Sequence, residues 1–317
     1  MTPSTAVRSR FVALALTLLA AGCSRQAAPP PAFKPPPPVP VRPRVGLALG
    51  GGGARGFAHV GALRVLEQEK IPIDLVVGTS VGSLVGALYA DRGSVMDAEL
   101  SALSVEQEDL FDTTLFPLFQ GGLVKGKRLE EFLRRNLKHA AIEAMAVPYA
   151  AVAVDLDSGE TVVFRQGEAA LAIHASCAIP GVFVPVTIGA RTFVDGGVAN
   201  PVPASVAREL GADVVIAMAV PPPAPKPPAR NQLAVAYHAV SLMSTEIGRL
   251  RAGEADVVIE AKVGQVDFDD FSQKRRLIEA GEAAARAALP AIRAAIAART
   301  RLVPATLAPA SLGHAAP

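Results

Sequence analysis

Residues 44–91 read RVGLALGGGGARGFAHVGALRVLEQEKIPIDLVVGTSVGSLVGALYAD, and this stretch decides the fold. Residues 44–49 are rich in Val and Leu and bounded by glycines, which is typical of a buried parallel strand. A run of glycines follows, and then residues 57–69 have apolar positions at helical spacing. A second short strand, 75–77, leads through a tight turn into another helical segment. This order predicts an α/β unit with parallel strands.

The turn after the second strand carries the pattern G-x-S-x-G as Gly78-Thr79-Ser80-Val81-Gly82. Between a strand and a helix, this pattern is typical of a nucleophile elbow, where a strained turn exposes a serine hydroxyl. The hydroxyl would also lie at the positive end of the following helix. Ser80 is therefore a candidate nucleophile, with Gly78 and Gly82 completing the elbow.

The glycine-rich loop admits more than one interpretation. Gly51, Gly53 and Gly56 satisfy G-x-G-x-x-G, but a dinucleotide-binding fold needs an acidic residue at the end of the next strand. Asp74 precedes its strand instead, and no Lys-Ser or Lys-Thr closes the loop as in a phosphate-binding P-loop. The remaining interpretation is an oxyanion hole, in which backbone N–H groups stabilise the charge formed when Ser80 attacks a carbonyl.

A nucleophilic serine needs a base, and Asp195 is the best-placed candidate. It follows a strand end and precedes Gly196 and Gly197, so its side chain is expected on a tight turn at a strand terminus. A turn-forming aspartate is the alternative. His238 with Asp195 would reproduce the Ser…Asp…His order of α/β-hydrolases, but His238 lies in an apolar helical pattern. Asp195 would accept the Ser80 proton directly if burial keeps its pKa high enough.

The other histidines do not offer a better base. None lies in a loop or glycine context like that of a triad histidine, and His59 is expected to pack in the first turn of a helix beside the glycine loop. Cys177 has no neighbouring base or cation in the sequence, so a small buried residue is the favoured interpretation.

Three motifs, in this order, resemble those of the patatin-like phospholipases, a family of lipid acyl hydrolases with a Ser–Asp dyad. They are Gly51-Gly52-Gly53-Ala54-Arg55-Gly56, Gly78-Thr79-Ser80-Val81-Gly82 and Asp195-Gly196-Gly197. Residues 175–181 (ASCAIPG), with Phe183 and Pro185, also resemble the block that precedes the family's aspartate. The resemblance covers about residues 44–210.

The resemblance implies Ser80 as nucleophile and Asp195 as base. It implies residues 51–56 as the oxyanion hole, with Arg55 fixing that loop. It further implies a three-layer α/β/α fold around a mostly parallel sheet. The implied activity is hydrolysis of phospholipids or other fatty-acyl esters through an acyl-enzyme, without a metal or other cofactor. Two alternatives stay open: an acyltransferase that uses the same dyad, and a non-catalytic lipid-binding lipoprotein.

The N-terminal residues predict export. Residues 1–22 combine two arginines with an apolar run that is too short to span a bilayer as a helix. The segment ends in Leu-Ala-Ala-Gly-Cys, which resembles a bacterial lipoprotein signal with Cys23 as the lipidated first residue of the mature chain. An ordinary secretory signal cut near Ala21 is the alternative. Ser24 resembles outer-membrane sorting, which would place the protein on the outer membrane facing the periplasm.

The rest of the chain divides into three parts by composition. Residues 23–43 contain PPP and PPPP runs and predict an extended tether. Residues 44–301 are long and apolar enough for one large domain, and 302–317 predict a flexible tail. Residues 111–119 (FDTTLFPLF) predict either a loop packed into the core or an apolar rim that contacts lipid.

Charge and cysteine content restrict the partners. The chain has 31 Lys and Arg against 29 Asp and Glu, and the two arginines of the signal segment account for the excess. A nearly neutral mature chain disfavours nucleic-acid binding, and membrane attachment would depend on lipid chains rather than charge. With Cys23 lipidated, Cys177 has no partner for an intramolecular disulfide.

Overall fold

The computed structural model describes residues 36–110, 112, 124–221 and 232–304. The predicted signal segment, Cys23 and most of the predicted tether lie outside the described residues, and so does nearly all of the Phe-rich segment 111–119. The chain divides into a compact unit of residues 40–302 and a second unit made of the two chain ends.

Ten strands are formed by the described residues. They are β1 (Val39–Val41), β2 (Val45–Leu49), β3 (Leu75–Thr79), β4 (Tyr149–Asp155), β5 (Thr161–Phe164), β6 (Val186–Ile188), β7 (Arg191–Asp195), β8 (Val214–Ala219), β9 (Val257–Glu260) and β10 (Arg301–Val303).

Nine α-helices are found in the same described ranges. They are α1 (Phe57–Gln68), α2 (Val81–Arg92), α3 (Val95–Ser104), α4 (Gln107–Leu110), α5 (Lys127–Asn136), α6 (Ala169–Ser176), α7 (Ala204–Glu209), α8 (Gln232–Ala252) and α9 (Lys274–Arg299).

Eight of the strands form one sheet with a parallel centre. Hydrogen-bonded neighbours follow the order β6-β7-β4-β3-β2-β8-β9, and β5 also pairs with β4. The pairs from β4 through β3, β2 and β8 to β9 are parallel, whereas β5, β6 and β7 join antiparallel. Strands β2, β3, β4 and β8 are buried along almost their whole length, as expected for parallel strands covered on both faces.

The apolar side chains of the sheet face two separate cores, which gives three layers. Val45, Leu47 and Leu49 of β2 pack into a large core with α1, α2, α3 and α9. Ala48, from the same strand, packs into a second core with α7. The alternation follows from the two-residue period of a strand. The predicted α/β/α fold with a mostly parallel central sheet is therefore confirmed.

Two boundaries differ from the sequence-based expectation. The predicted tether and tail both contribute a strand, because β1 and β10 pair in a separate two-stranded sheet. Their valines favour strand structure, and Pro40 is tolerated because a two-stranded ribbon leaves one edge of each strand unpaired. Helices α3 and α4 are separated by a short break at which Val105 is extended. No helix among the described residues is both long and apolar enough to cross a bilayer.

Candidate active site

The glycine loop and the serine elbow leave the sheet side by side. Strands β2 and β3 are parallel neighbours, with Leu49 opposite Gly78. The loop that follows β2 and the turn that follows β3 therefore emerge together at the carboxyl edge of the sheet. Ligand sites of open α/β sheets lie at this edge.

Asp195 reaches the same point through the register of β4. Thr79, the last residue of β3, is opposite Val152 of β4, and Asp195, the last residue of β7, is opposite the next residue, Ala153. On the opposite edge of β4, Val152 and Ala153 pair with β5. Strands β3 and β7 therefore both pair with the same edge of β4. The two strands run in opposite directions and meet end to end. The residue after β3 is Ser80, which is how residues 115 positions apart come together.

Ser80 lies in a strained elbow, as the G-x-S-x-G pattern predicts. Its backbone has φ 55° and ψ −130°, a left-handed conformation that is rare outside glycine. A Cβ on Gly78 would lie 2.3 Å from Gly82 O, and one on Gly82 would lie 2.2 Å from Leu49 O. Only glycine fits at these two positions, so they allow the turn to be this tight.

Ser176 fixes the elbow from the adjacent helix. The Ser80 N–H donates to Ser176 Oγ at 3.0 Å, and that hydroxyl donates to Val152 O at 2.6 Å. Ser176 is the last residue of α6 and is fully buried. The contact satisfies a backbone amide at a strained residue and ties it to β4.

Asp195 is a buried carboxyl group with one well-bonded oxygen. Its Oδ1 accepts a hydrogen bond from Gly197 N at 2.7 Å, whereas its buried Oδ2 has no hydrogen-bond partner among the described residues. Burial raises the pKa of Asp195 to about 6, although interactions with the Ser80 hydroxyl and the Gly197 N–H lower it in part. The Ser80 hydroxyl thus lies close to the Asp195 carboxylate, but it does not form a well-aligned hydrogen bond with Oδ2. Catalytic hydrogen bonds are often long or poorly aligned before substrate binds.

Gly196 and Gly197 make the turn after Asp195 possible. A Cβ on Gly196 would lie 2.3 Å from Val152 O and 3.0 Å from the Thr79 methyl group. This close approach keeps the Asp-Gly-Gly turn against the end of β3. Thr79 Oγ1 also donates to Asn200 O at 2.9 Å, which joins the segment after the turn to the elbow.

The glycine loop is pressed against the elbow. A Cβ on Gly51 would lie 3.3 Å from Ser80 Cβ and 4.0 Å from Ser80 Oγ. One on Gly56 would lie 2.4 Å from a Val81 methyl group. The loop backbone therefore lies directly against the Ser80 and Val81 side chains.

Backbone hydrogen bonds restrict which amides are available at this loop. The Gly51 N–H donates to Pro201 O at 2.9 Å and the Ala54 N–H donates to Phe268 O at 2.6 Å. Among the described residues, no hydrogen bond uses the amides of Gly52 and Gly53. Within the expected hole over residues 51–56, the amides of Gly51 and Ala54 are therefore already engaged, and Gly52 and Gly53 are candidate donors.

Arg55 and His59 hold the loop from the side of α1. Arg55 Nε donates to Gly52 O at 3.0 Å, as expected for a residue that fixes the loop. His59 Nε2 lies 2.7 Å from Gly50 O and must be the donor, because a carbonyl only accepts. His59 is completely buried, and burial lowers its pKa to about 4, so the ring is neutral at physiological pH.

An apolar pocket opens next to Ser80. It encloses about 690 Å³ of empty space, including its mouth. Its lining is almost entirely apolar and is drawn from six regions: the glycine loop with the start of α1, α2, the α3–α4 region, α5, the segment after α6 and the segment after β9. Representative residues are Ser80, Leu84, Val105, Phe132, Phe268 and Phe271. Such a pocket suits a hydrocarbon chain whose ester group lies at the hydroxyl.

The other candidate nucleophile and bases are engaged elsewhere. His139 contacts Asp91 at 2.9 Å and His174 contacts Glu130 at 2.8 Å. His238 is on α8 and makes no hydrogen bond or ion pair with Ser80 or Asp195 in the described parts of the chain, and His314 lies outside them. Cys177 is buried, and burial raises the pKa of its thiol, which makes it a poor nucleophile.

No cluster of three or more His, Cys, Asp or Glu in the described residues is arranged to hold a metal ion.

Comparison with known proteins identifies the family. A family model described as patatin-like phospholipase matches residues 47–208, which is just over half of the chain. The chain belongs to the patatin-like phospholipase family. The glycine loop, the Ser80 elbow and the Asp-Gly-Gly turn all fall within the matched residues, whereas Phe268 and Phe271 of the pocket lie beyond them.

Individual relatives agree with this family. An uncharacterized NTE family protein of Mycobacterium tuberculosis is 35% identical over 178 residues, which cover 56% of this chain and 49% of the relative. Human patatin-like phospholipase domain-containing protein 6 is 34% identical over 184 residues, covering 56% of this chain and 13% of that protein. The chain thus spans about half the length of the first curated relatives it matches.

A solved structure supports the fold. VipD from Legionella pneumophila superposes with a TM-score of 0.51 at 11% identity, covering 90% of this chain and 74% of VipD. At this identity the likeness concerns the fold alone.

Proposed function

We propose that this protein is a serine lipid acyl hydrolase that cleaves fatty-acyl esters, with Ser80 as nucleophile and Asp195 as base. The observation that carries the proposal is the position of a strained, left-handed serine beside a buried carboxyl group with a raised pKa. Perturbed titratable groups beside a potential nucleophile in a pocket favour a catalytic role. Membership of the patatin-like phospholipase family gives further support.

The proposed reaction has two steps, which use the same groups. Ser80 Oγ attacks the ester carbonyl while the Asp195 carboxylate accepts its proton. The Gly52 and Gly53 N–H groups stabilise the oxyanion, and the alcohol leaves with the proton held by Asp195. Water then attacks the acyl-enzyme, and Asp195 serves again as base. The neutral His59 takes no proton in this scheme, because burial lowers its pKa to about 4.

The pocket suggests the substrate class. The lining of Leu, Val, Ile and Phe side chains matches the apolar character of a fatty-acyl chain. We therefore propose phospholipids or related fatty-acyl esters as substrates, with the acyl chain in the pocket and the ester group at Ser80.

We also propose that the protein is exported and held on a membrane through lipidated Cys23, with residues 23–38 as the tether. This proposal is supported by the sequence of the first 23 residues. Lipid chains would hold the domain close to its substrate.

The test compares Ser80→Ala and Asp195→Asn with His238→Ala on a p-nitrophenyl ester and on phospholipid. We expect the first two to lower kcat by about 10³-fold or more, because each removes a group that acts in the transition state. His238→Ala should keep the parent rate. Full activity in Asp195→Asn, or its loss in His238→Ala, would favour a histidine base instead.

Thermal unfolding at pH 8 shows whether the inactive variant is folded. The folded-state pKa of Asp195, about 6, lies above its ordinary value of 3.8, so the ionised carboxylate costs stability above pH 6. Below pH 4 that cost disappears. Asp195→Asn should therefore be at least as stable as the parent at pH 8, and this advantage should vanish in acid.

A further inference from the structure

Helix α3 exposes three large apolar side chains on one face. Met96 is 68% exposed, Leu100 62% and Leu103 44%. Their spacing of four and three residues places them in one stripe along the helix. A surface helix usually has polar residues on its outer face, and this stripe departs from that pattern, as do the exposed apolar side chains of α8. We call Met96, Leu100 and Leu103 the α3 stripe.

The opposite face of α3 belongs to the pocket wall. Ala102, and Val105 directly after the helix, line the apolar space that begins at Ser80. The helix is also anchored to the body of the domain: Glu99 pairs with Arg64 of α1, and Lys274 Nζ donates to Leu103 O at 3.2 Å. The α3 stripe is thus a fixed apolar surface on an element that forms one side of the substrate pocket.

We propose that the α3 stripe inserts into the surface of a lipid bilayer and brings the pocket to its substrate. This inference rests on the proposed function, because a bilayer is where fatty-acyl esters with two chains are found. Apolar side chains on one face of a helix bind at the boundary between headgroups and acyl chains.

The size of the surface argues against a second copy of the chain as the occupant. Three partly exposed side chains offer an area on the order of a few hundred Å². A stable protein–protein interface buries roughly 800 Å² on each partner. Docking on a bilayer needs a smaller buried area, because a tether raises the effective concentration of the domain at the membrane and a weak contact is then sufficient. The proposed tether of residues 23–38 would span roughly 50 Å if extended, so it would keep the domain close to the membrane.

The first experiment uses the absence of tryptophan from this chain. The full chain with Cys23→Ser, which removes the expected lipidation, receives a single Leu100→Trp, and a matched control receives Leu250→Trp on the exposed face of α8. On addition of phosphatidylcholine vesicles, we expect the emission of the Leu100→Trp variant to shift to the blue and that of the control to stay unchanged. No shift in Leu100→Trp, or an equal shift in both, would overturn the proposal.

A second variant set measures the consequence for binding and turnover. Met96→Gln, Leu100→Gln and Leu103→Gln are combined, with Val235→Gln, Leu242→Gln and Leu250→Gln as the control triple. We expect the α3 triple to reduce co-sedimentation with vesicles about 10-fold or more. The ratio of activity on vesicle phospholipid to activity on a soluble ester should fall similarly. Parent-like binding by the α3 triple, or an equal loss in the control triple, would contradict the inference.

Two further outcomes separate this inference from others. Vesicle binding by a Ser80→Ala variant would support the surface independently of the proposed chemistry. A blue shift that grows with protein concentration in the absence of vesicles would identify the stripe as a self-association surface and would overturn the lipid assignment.

Discussion

The carboxyl group of Asp195, the proposed base, shows how burial raises the proton affinity of a residue. A solvent-exposed aspartate is a weak base, because its pKa is far below neutral pH. Burial raises the pKa of Asp195 to about 6, which brings proton affinity closer to the working pH while leaving most of the group ionised at pH 7. Asp155, on the neighbouring strand, shows the opposite case: hydrogen bonds from Ser158 N and Arg191 lower its pKa.

The pH dependence of the reaction should report this group. Because the carboxylate must be ionised to accept the Ser80 proton, kcat/KM for a neutral ester should fall as the pH drops through about 6 and should be level from about pH 7 to 8. Steady-state kinetics from pH 4.5 to 8.5 measures this. An unchanged kcat/KM down to pH 4.5 would be inconsistent with Asp195 as the base.

Strand register is the element-scale feature that assembles the site. Strand β4 is long enough to pair with β3 over its first residues and with β7 over its last, so the two strand ends meet beside it. The loop after β2 is held by Pro201 O after β7 and by Phe268 O after β9. The site therefore depends on segments that lie both inside and outside residues 47–208.

The segment after β9 should influence which acyl chains are accepted. Phe271 lines the pocket and stacks edge-on against Phe57, with ring centroids 5.5 Å apart. Phe271→Ala removes this wall, so kcat/KM for bulky acyl chains should rise several-fold relative to that for short chains. Competition between p-nitrophenyl esters of different chain length measures the ratio.

Phe164→Ala is the matched control for this change. Phe164 stacks against Phe193, with centroids 5.2 Å apart, and does not line the pocket. Phe164→Ala should leave the ratio of kcat/KM for bulky and short acyl chains unchanged. An equal change in both variants would show that the ratio responds to general destabilisation.

The elements with strong local patterns could be predicted from the sequence. The strand, glycine loop, helix and elbow of residues 44–91 each have a clear period or a fixed backbone requirement, and they occur where expected. Ser80 and Asp195 could be named for the same reason, since each follows a strand end and is flanked by glycine. Their proximity could not be derived locally, because it depends on the register of β4.

Other parts of the site carry no local signal. Ser176 contacts Ser80 across 96 positions, and Phe268 reaches Ala54 through its backbone carbonyl, which any residue possesses. The Gly51 N–H is occupied because it donates to Pro201 O, which is 150 positions away, whereas the Gly52 and Gly53 N–H groups are not occupied in this way. The pairing of β1 with β10 joins two short segments from opposite ends of the chain.

At the scale of the whole molecule, the proposed anchor predicts where the protein is found. Cys23→Ala removes the proposed lipidation site, so the variant should appear in the soluble fraction after cell fractionation, whereas the parent should remain with the membrane. If the variant stays with the membrane as strongly as the parent, the anchor lies elsewhere. The α3 stripe would then be the next segment to test.

The most direct test of the central claim is covalent labelling of the nucleophile with an alkyl fluorophosphonate, followed by peptide mass spectrometry. We expect a single adduct on Ser80, no adduct in Ser80→Ala and much slower labelling in Asp195→Asn. An adduct on another residue, or labelling of Ser80→Ala at the parent rate, would contradict this claim.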